Sequence, residues 1–264
     1  MKLRFSLRTE FRFSEPVSRH VFRIRALPPD LPGQRVTDAQ LTTEPATPLA
    51  DLVDPVFGNR TFSGRIDAPH DGFVVAAEGL VERDVSVIDR TPPEPYCINA
   101  TALTRPGARI LALAKALEAD RPADETAQVL YAMKAVHAAF CYTPGTTSTG
   151  TTAEAALEAG RGVCQDYAHV MIALLRLWRI PALYVAGLMQ GTGATHAWVR
   201  AFADGRWIEI DPTHDRAADE TYLTLARGCD FADAALERGV FCGAARQTIL
   251  TEAEVRPSAE GSFL

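Results

Sequence analysis

The amino-acid sequence predicts an α+β protein: an antiparallel β unit first, then a core in which one apolar helix packs on an antiparallel sheet. Three observations carry that expectation. Residues 3–13 alternate apolar and polar side chains. Past residue 107 the apolar spacing becomes helical. After the most apolar helix, three short runs return to strand character.

At the front, Leu3, Phe5, Leu7, Thr9, Phe11 and Phe13 fall on one face, and Arg4, Ser6, Arg8, Glu10 and Arg12 on the other. This is the period-2 pattern of a sheet with one wet face. Phe22, Ile24 and Ala26 against Arg23 and Arg25 repeat it. Gly58-Asn59 separates Val56-Phe57 from Thr61-Phe62 as a turn between strands. The β-branched runs 73–77 and 85–88 read as two more strands, and Thr91-Pro92-Pro93-Glu94-Pro95 as the exit from the unit. Residues 1–95 are thus expected to form an N-terminal β region, and residues 96–264 the core with a strand tail at Thr248–Val255.

In the core, residues 107–119 and 126–140 carry helical spacing, the second with Val129, Leu130, Met133, Val136, Ala139 and Phe140 on one stripe. Residues 142–152 are a loop by composition, and 152–157 a short helix. Residues 164–178 are apolar on most sides, which marks a helix central to its domain, and Pro181 follows its end. Residues 182–188, 195–202 and 206–210 read as strands.

Composition excludes several function classes. Acidic residues outnumber basic ones by 33 to 27, a formal charge of −6, which argues against nucleic-acid or anionic-membrane partners. No run approaches the ~20 apolar residues of a membrane span. Lys2 and Arg4 stand where a signal peptide needs its apolar stretch, so a cytoplasmic address is expected. The five cysteines are odd in number, scattered and without a C-x-x-C pair. Neither a disulfide framework nor a metal site is expected, nor any cofactor.

Three residues combine into chemistry. Cys164 opens the central helix behind Gly162, His196 sits on a strand in Thr195-His196-Ala197-Trp198, and Asp211 ends the next strand before Pro212-Thr213. A helix N-terminus carries a partial positive charge, which favours a thiolate, and its unpaired N–H groups can face a developing oxyanion. A histidine beside the thiol can take its proton, and an aspartate can fix the imidazole. A hairpin turning at Asp204-Gly205 brings residues 196 and 211 near each other. Singly, each has an ordinary explanation: a buried thiol, a satisfied histidine, a turn aspartate. Their joint occurrence in this order favours Cys-His-Asp catalysis.

The blocks Gly160–Ala168, Ile180–Gly187, Thr195–Val199 and Asp211-Pro212-Thr213 resemble the bacterial transglutaminase-like family, on the papain-like cysteine-protease scaffold. Ala226–Asp233 resembles a segment that follows the aspartate in these proteins. Phe13-Ser14-Glu15-Pro16-Val17 and Gln34-Arg35-Val36 resemble the family's N-terminal β region. The resemblance implies Cys164 as nucleophile, His196 as acid/base and Asp211 as its orienter, with acyl transfer through a thioester. One departure stands out. Animal transglutaminases place a tryptophan upstream of the cysteine, whereas Trp178, Trp198 and Trp207 all lie downstream here. The second oxyanion donor is therefore unassigned, with Tyr142 and Gln128 as candidates. The expected function is a thiol hydrolase or acyltransferase acting on a peptide or protein amide, with hydrolysis favoured over cross-linking. The alternative is a catalytically silent protein-binding module on the same fold.

Other residues read as structural. His169, five positions after Cys164, points away from it around the helix. Asp166 suits a helix cap. His214 either lines the site or caps a turn. Gly191-Thr192-Gly193 lacks the lysine and helix of a phosphate loop and is expected to rim the site near His196. Cys97, Cys141, Cys229 and Cys242 are expected to be inert.

Overall fold

The computed structural model describes residues 1–258. Its front half is organised by one long strand, β1 (Lys2–Ile24). Leu3, Phe5, Leu7, Phe11 and Phe13 are buried as the alternation requires. β1 is long because it serves two sheet segments in turn. Its first half pairs with β5 (His70–Arg83) and with β15 (Gln247–Pro257). Register then shifts between Arg12 and Val17, and again between Ser18 and Val21. Past those irregularities, which bend a strand, β1 pairs with β4 (Arg60–Ile66) and β14 (Glu237–Cys242). β2 (Gln34–Glu44) flanks β5, and β3 (Ala50–Val53) flanks β4.

The core follows as α1 (Ala108–Leu117), α2 (Glu125–Ala139), the two-residue strand β6 (Cys141–Tyr142), α3 (Ala153–Ala159), the two-residue strand β7 (Arg161–Gly162) and α4 (Cys164–Leu177). The five-stranded sheet comprises β8 (Ala182–Met189), β10 (His196–Ala203), β11 (Arg206–Asp211), β12 (Arg216–Ala217) and β13 (Tyr222–Gly228), in the order β12-β11-β10-β8-β13 with every pairing antiparallel. The short β9 (Gly191–Gly193) leaves this sheet and joins β15 instead. A single turn, α5 (Phe231–Ala234), precedes β14. α4 lies against β8 and β10 and is buried from Gln165 through Arg176. Arg176 is buried among carbonyls. Its guanidinium donates to Cys97 O, Ala182 O and Cys229 O and to Thr104 Oγ1, tying four chain segments to the helix.

Two buried amides seam the halves. The Gln34 side chain bonds both the N–H and the C=O of Thr224 on β13. Asn59 does the same to Arg227. Each side chain mimics a neighbouring strand along the outer edge of β13.

Some expectations are corrected here. Residues 85–88 form no strand. Asp84 accepts from both the N–H and the hydroxyl of Ser86, which turns the chain and leaves Val85, Val87 and Ile88 exposed. Val56-Phe57 belong to the turn itself, where Asp54 accepts from both backbone N–H groups. The tail is a strand, but it completes the N-terminal sheet beside β1. β2, β13 and β14 carried no clear sequence signal. β2 has few apolar positions, because as a sheet edge it is largely wet.

Candidate active site

Local sequence sets up the helix start. Gly160 closes α3 in the left-handed region, and β7 leads through Gly162 into Val163, the cap of α4. Asp166 reaches back, accepting from Val163 N at 2.8 Å, while its own N–H donates to Val163 O at 2.8 Å. A Cβ on residue 162 would lie 2.5 Å from Asp166 Oδ2, so glycine is required for this close approach. Cys164 becomes the first helical residue, its N–H free of any intrahelical acceptor and its side chain half-buried. The loop 143–152 is tied to the same turn: Thr147 donates to Asp166 Oδ2 and Gln165 Nε2 to Ser148 O.

His196 begins β10, opposite Gly187 of β8. Asp204 and Gly205 both adopt positive φ, the tight turn of a two-residue hairpin. That hairpin sets β11 beside β10 and carries Asp211 back to His196. His196 Nε2 lies 2.7 Å from Asp211 Oδ2. The other ring nitrogen, Nδ1, is left for Cys164. Burial works against the charged imidazole, but the hydrogen bond to Asp211 and the interaction with Cys164 outweigh it and raise its pKa to about 9. Trp198, two residues on, stacks near His196 and donates to Glu209, and its ring passes over Gly187, where a Cβ would sit 2.5 Å from it.

Asp211 is fully buried and densely bonded. Besides His196, Oδ2 accepts from His214 Nδ1 at 2.6 Å and from Tyr222 Oη at 2.8 Å. Oδ1 accepts from the backbone N–H groups of Thr213 and His214. Burial alone would raise its pKa, yet the bond and charge of His196, with the His214 and Tyr222 bonds, hold it far below the usual carboxylate range. Burial and the Asp211 charge in turn keep the Tyr222 phenol protonated as a donor. His214 thus belongs to the site cluster, its ring tilted on that of His196 at 5.1 Å. Tyr222 stands in no recognisable sequence motif. Its contact depends on β13 lying beside β8, which no local motif announces.

The ligand atoms of His196, Asp211 and His214 also lie within 4.8 Å of one another, close enough in type and spacing to hold a metal ion. Both rings turn a nitrogen on the same oxygen, however, which describes a hydrogen-bonded network around one carboxylate. Of the oxyanion candidates, Tyr142 lines the cleft with His196, while the Gln128 amide turns back to Ala123 O, just before its own helix. His169 is structural: buried, it accepts from Phe231 N–H, and burial lowers its pKa to about 4.

The cleft holds about 440 Å³, lined by Tyr142, Met189, β9, His196 and His214. A second, shallower cavity of about 690 Å³ lies on the wet face of the N-terminal sheet. Both are lined by Thr192, Gly193 and Ala253, so β9 is the ridge between them.

A thiol at a helix start against an antiparallel sheet, facing a carboxylate-bound histidine, defines the papain-like class of cores, here with a β unit in front. The description of the transglutaminase-like superfamily matches residues 112–212, and that of the bacterial transglutaminase-like N-terminal region matches residues 3–82, together more than half of the chain. The chain belongs to the bacterial transglutaminase-like family. An uncharacterized protein of Mycobacterium leprae is 27% identical over 261 residues, covering 89% of this chain and 91% of its own length. Another, from Mycobacterium tuberculosis strain H37Rv, is 27% identical over 282 residues, covering 90% and 87%. The crystal structure of a candidate cysteine protease from Cytophaga hutchinsonii shares the fold, with a TM-score of 0.77 at 21% identity over 98% of this chain and 92% of that one.

Proposed function

We propose that the protein is a thiol-dependent amide hydrolase or acyltransferase working through a Cys164 thioester, with hydrolysis the main outcome. The observation that carries this reading is His196, bonded to buried Asp211 through Nε2 and turned toward Cys164 with its other side. In the first step the Cys164 thiolate attacks the amide carbonyl, and the Cys164 N–H meets the developing oxyanion. Protonated His196 then gives its proton to the departing amine, leaving a thioester and a neutral imidazole. His196 next takes a proton from water, which attacks the thioester, releasing the acid and restoring the thiolate and imidazolium. Asp211 holds the ring throughout.

The acceptor is argued from access. Water at about 55 M prevails unless a second groove shelters the thioester and positions an amine. The rim here is polar and open: Tyr142 is 52% exposed, and residues 144–146 and 148–150 carry no large apolar side chain. The substrate is proposed to be a peptide or protein segment. The two cavities on either side of β9 suit an extended chain crossing that ridge, where Gly191 and Gly193 place no side chain in its way.

The test is partition of an amide substrate in excess primary amine, together with mapping of substoichiometric iodoacetamide. Labelling should fall on Cys164, and free acid should exceed amine adduct, both lost in Cys164→Ala. Adduct as the major product at millimolar amine would reverse the choice of acceptor. A Cys164 thiol that labels only after unfolding would favour a silent binding module.

A further inference from the structure

A third cavity, of about 420 Å³, whose lining does not include Cys164, lies between the far end of the N-terminal sheet and the loop bearing Thr149. Its wall is aromatic. Phe11, Phe22 and Phe73 form one cluster, with Phe22 and Phe73 centroids 4.4 Å apart and Phe11 and Phe73 5.7 Å apart. Ile24, Phe231 and Ile249 extend the apolar lining. Into this wall β14 sets one carboxylate, Glu237. Cross-strand pairing places Glu237 opposite Ile24 and Gly239 opposite Phe22, so the carboxyl group shares the face of Phe22 and Ile24.

Glu237 is half-buried, and its one hydrogen-bond partner among the described residues is the Thr9 hydroxyl, at 2.9 Å. No arginine or lysine pairs with it among the described residues. Arg23 and Arg238 also line the cavity, but they alternate with Ile24 and Glu237 along their strands, and neither forms an ion pair with Glu237. Arg238 donates to Ala232 O. His20, the remaining titratable group in the lining, is buried against His70 and held neutral, so it supplies no countercharge. A carboxylate in an apolar wall without a cation is costly unless a partner arrives. Aromatic faces beside a carboxylate suit an organic cation, which gains from both.

We propose that this cavity binds an alkylammonium or guanidinium group, with the charged head on Glu237 and the apolar stem along Phe22, Phe73 and Phe11. Neither Cys164 nor His196 lines this cavity, so its test is binding rather than turnover. The full chain carrying Cys164→Ala, which consumes no amine, is titrated calorimetrically with n-butylamine and with Nα-acetyl-lysine methylamide. The neutral isosteres n-butanol and Nα-acetyl-norleucine methylamide are the controls. Each cation should bind at least tenfold tighter than its isostere, and Glu237→Gln should remove that preference while keeping the Thr9 contact. A stronger response to the lysine amide than to butylamine would assign the site to a peptide side chain, and the reverse to a free amine. Equal binding of cation and isostere, unchanged affinity in Glu237→Gln, or no binding of any cation would overturn the proposal. Should Glu237→Gln fail to fold, the cation–isostere comparison in the Cys164→Ala chain decides alone, with Phe22→Leu expected to weaken the cation several-fold.

Discussion

At the scale of single residues, the site is a competition for one oxygen. Three donors, from His196, His214 and Tyr222, converge on Asp211 Oδ2. The histidine that results is held charged well above neutrality, and this has a measurable consequence. His196 has its folded pKa raised from 6.5 to about 9. Its contribution to stability is therefore full below 6.5 and is lost as pH rises through about 9. The difference corresponds to roughly 3 kcal/mol, at about 1.4 kcal/mol per pKa unit. Wild type should exceed His196→Gln in stability by a margin of that order at pH 6, shrinking by pH 10, measured by urea denaturation. Part of the elevation comes from Cys164, so the His196 ring resonance should titrate at lower pH in Cys164→Ala. An unchanged midpoint there would separate the histidine from the thiol. Cys164, His196 and Asp211 were legible because each stands in a telling local setting: a glycine-led helix start, a strand, a strand end before proline. Tyr222 was not, because a hydroxyl that matters only through a neighbouring strand leaves no local trace.

At the scale of elements, periodicity served where one face is dry and failed where neither is. β1 and α4 could be read directly, since burial imposes a period of two on one and a broad apolar surface on the other. β2 at a wet edge showed nothing comparable, and the β-branched run at 85–88 was overruled by a single aspartate turn. The decisive element is the start of α4. Gly162→Val would drive a side chain into Asp166 and strip the cap from Val163 N. Loss of a cap alone costs about 1 kcal/mol. The displaced helix start should in addition slow iodoacetamide labelling of Cys164 tenfold or more while the far-ultraviolet dichroism stays near wild type. Labelling at the wild-type rate would show that the thiol does not depend on this turn.

At the scale of the whole molecule, the two halves are joined by side chains that imitate backbone. Gln34 and Asn59 each satisfy both polar groups of one β13 residue. Asn59 is fully buried, so Asn59→Asp would replace a donor with a second acceptor facing the Arg227 carbonyl. A cost of about 2–4 kcal/mol is expected from the unsatisfied carbonyl and the buried acid, read as a lowered urea midpoint. A shift below 0.5 kcal/mol would mean that the seam is closed by something else.

The pairing of β1 with β15 reaches further than architecture. Leu3 faces Pro257, partners separated by nearly the whole chain, and the ridge β9 beside His196 leans on that same last strand. Loop closure on this scale is slow and puts the molecule among high-contact-order folds. During synthesis, β1 can pair with β5 early, but its other edge stays bare until β15 leaves the ribosome. A nascent chain therefore carries an open strand template while its cleft is still unfinished, and the completed cleft and protection from edge-to-edge association arrive together, once β15 has paired.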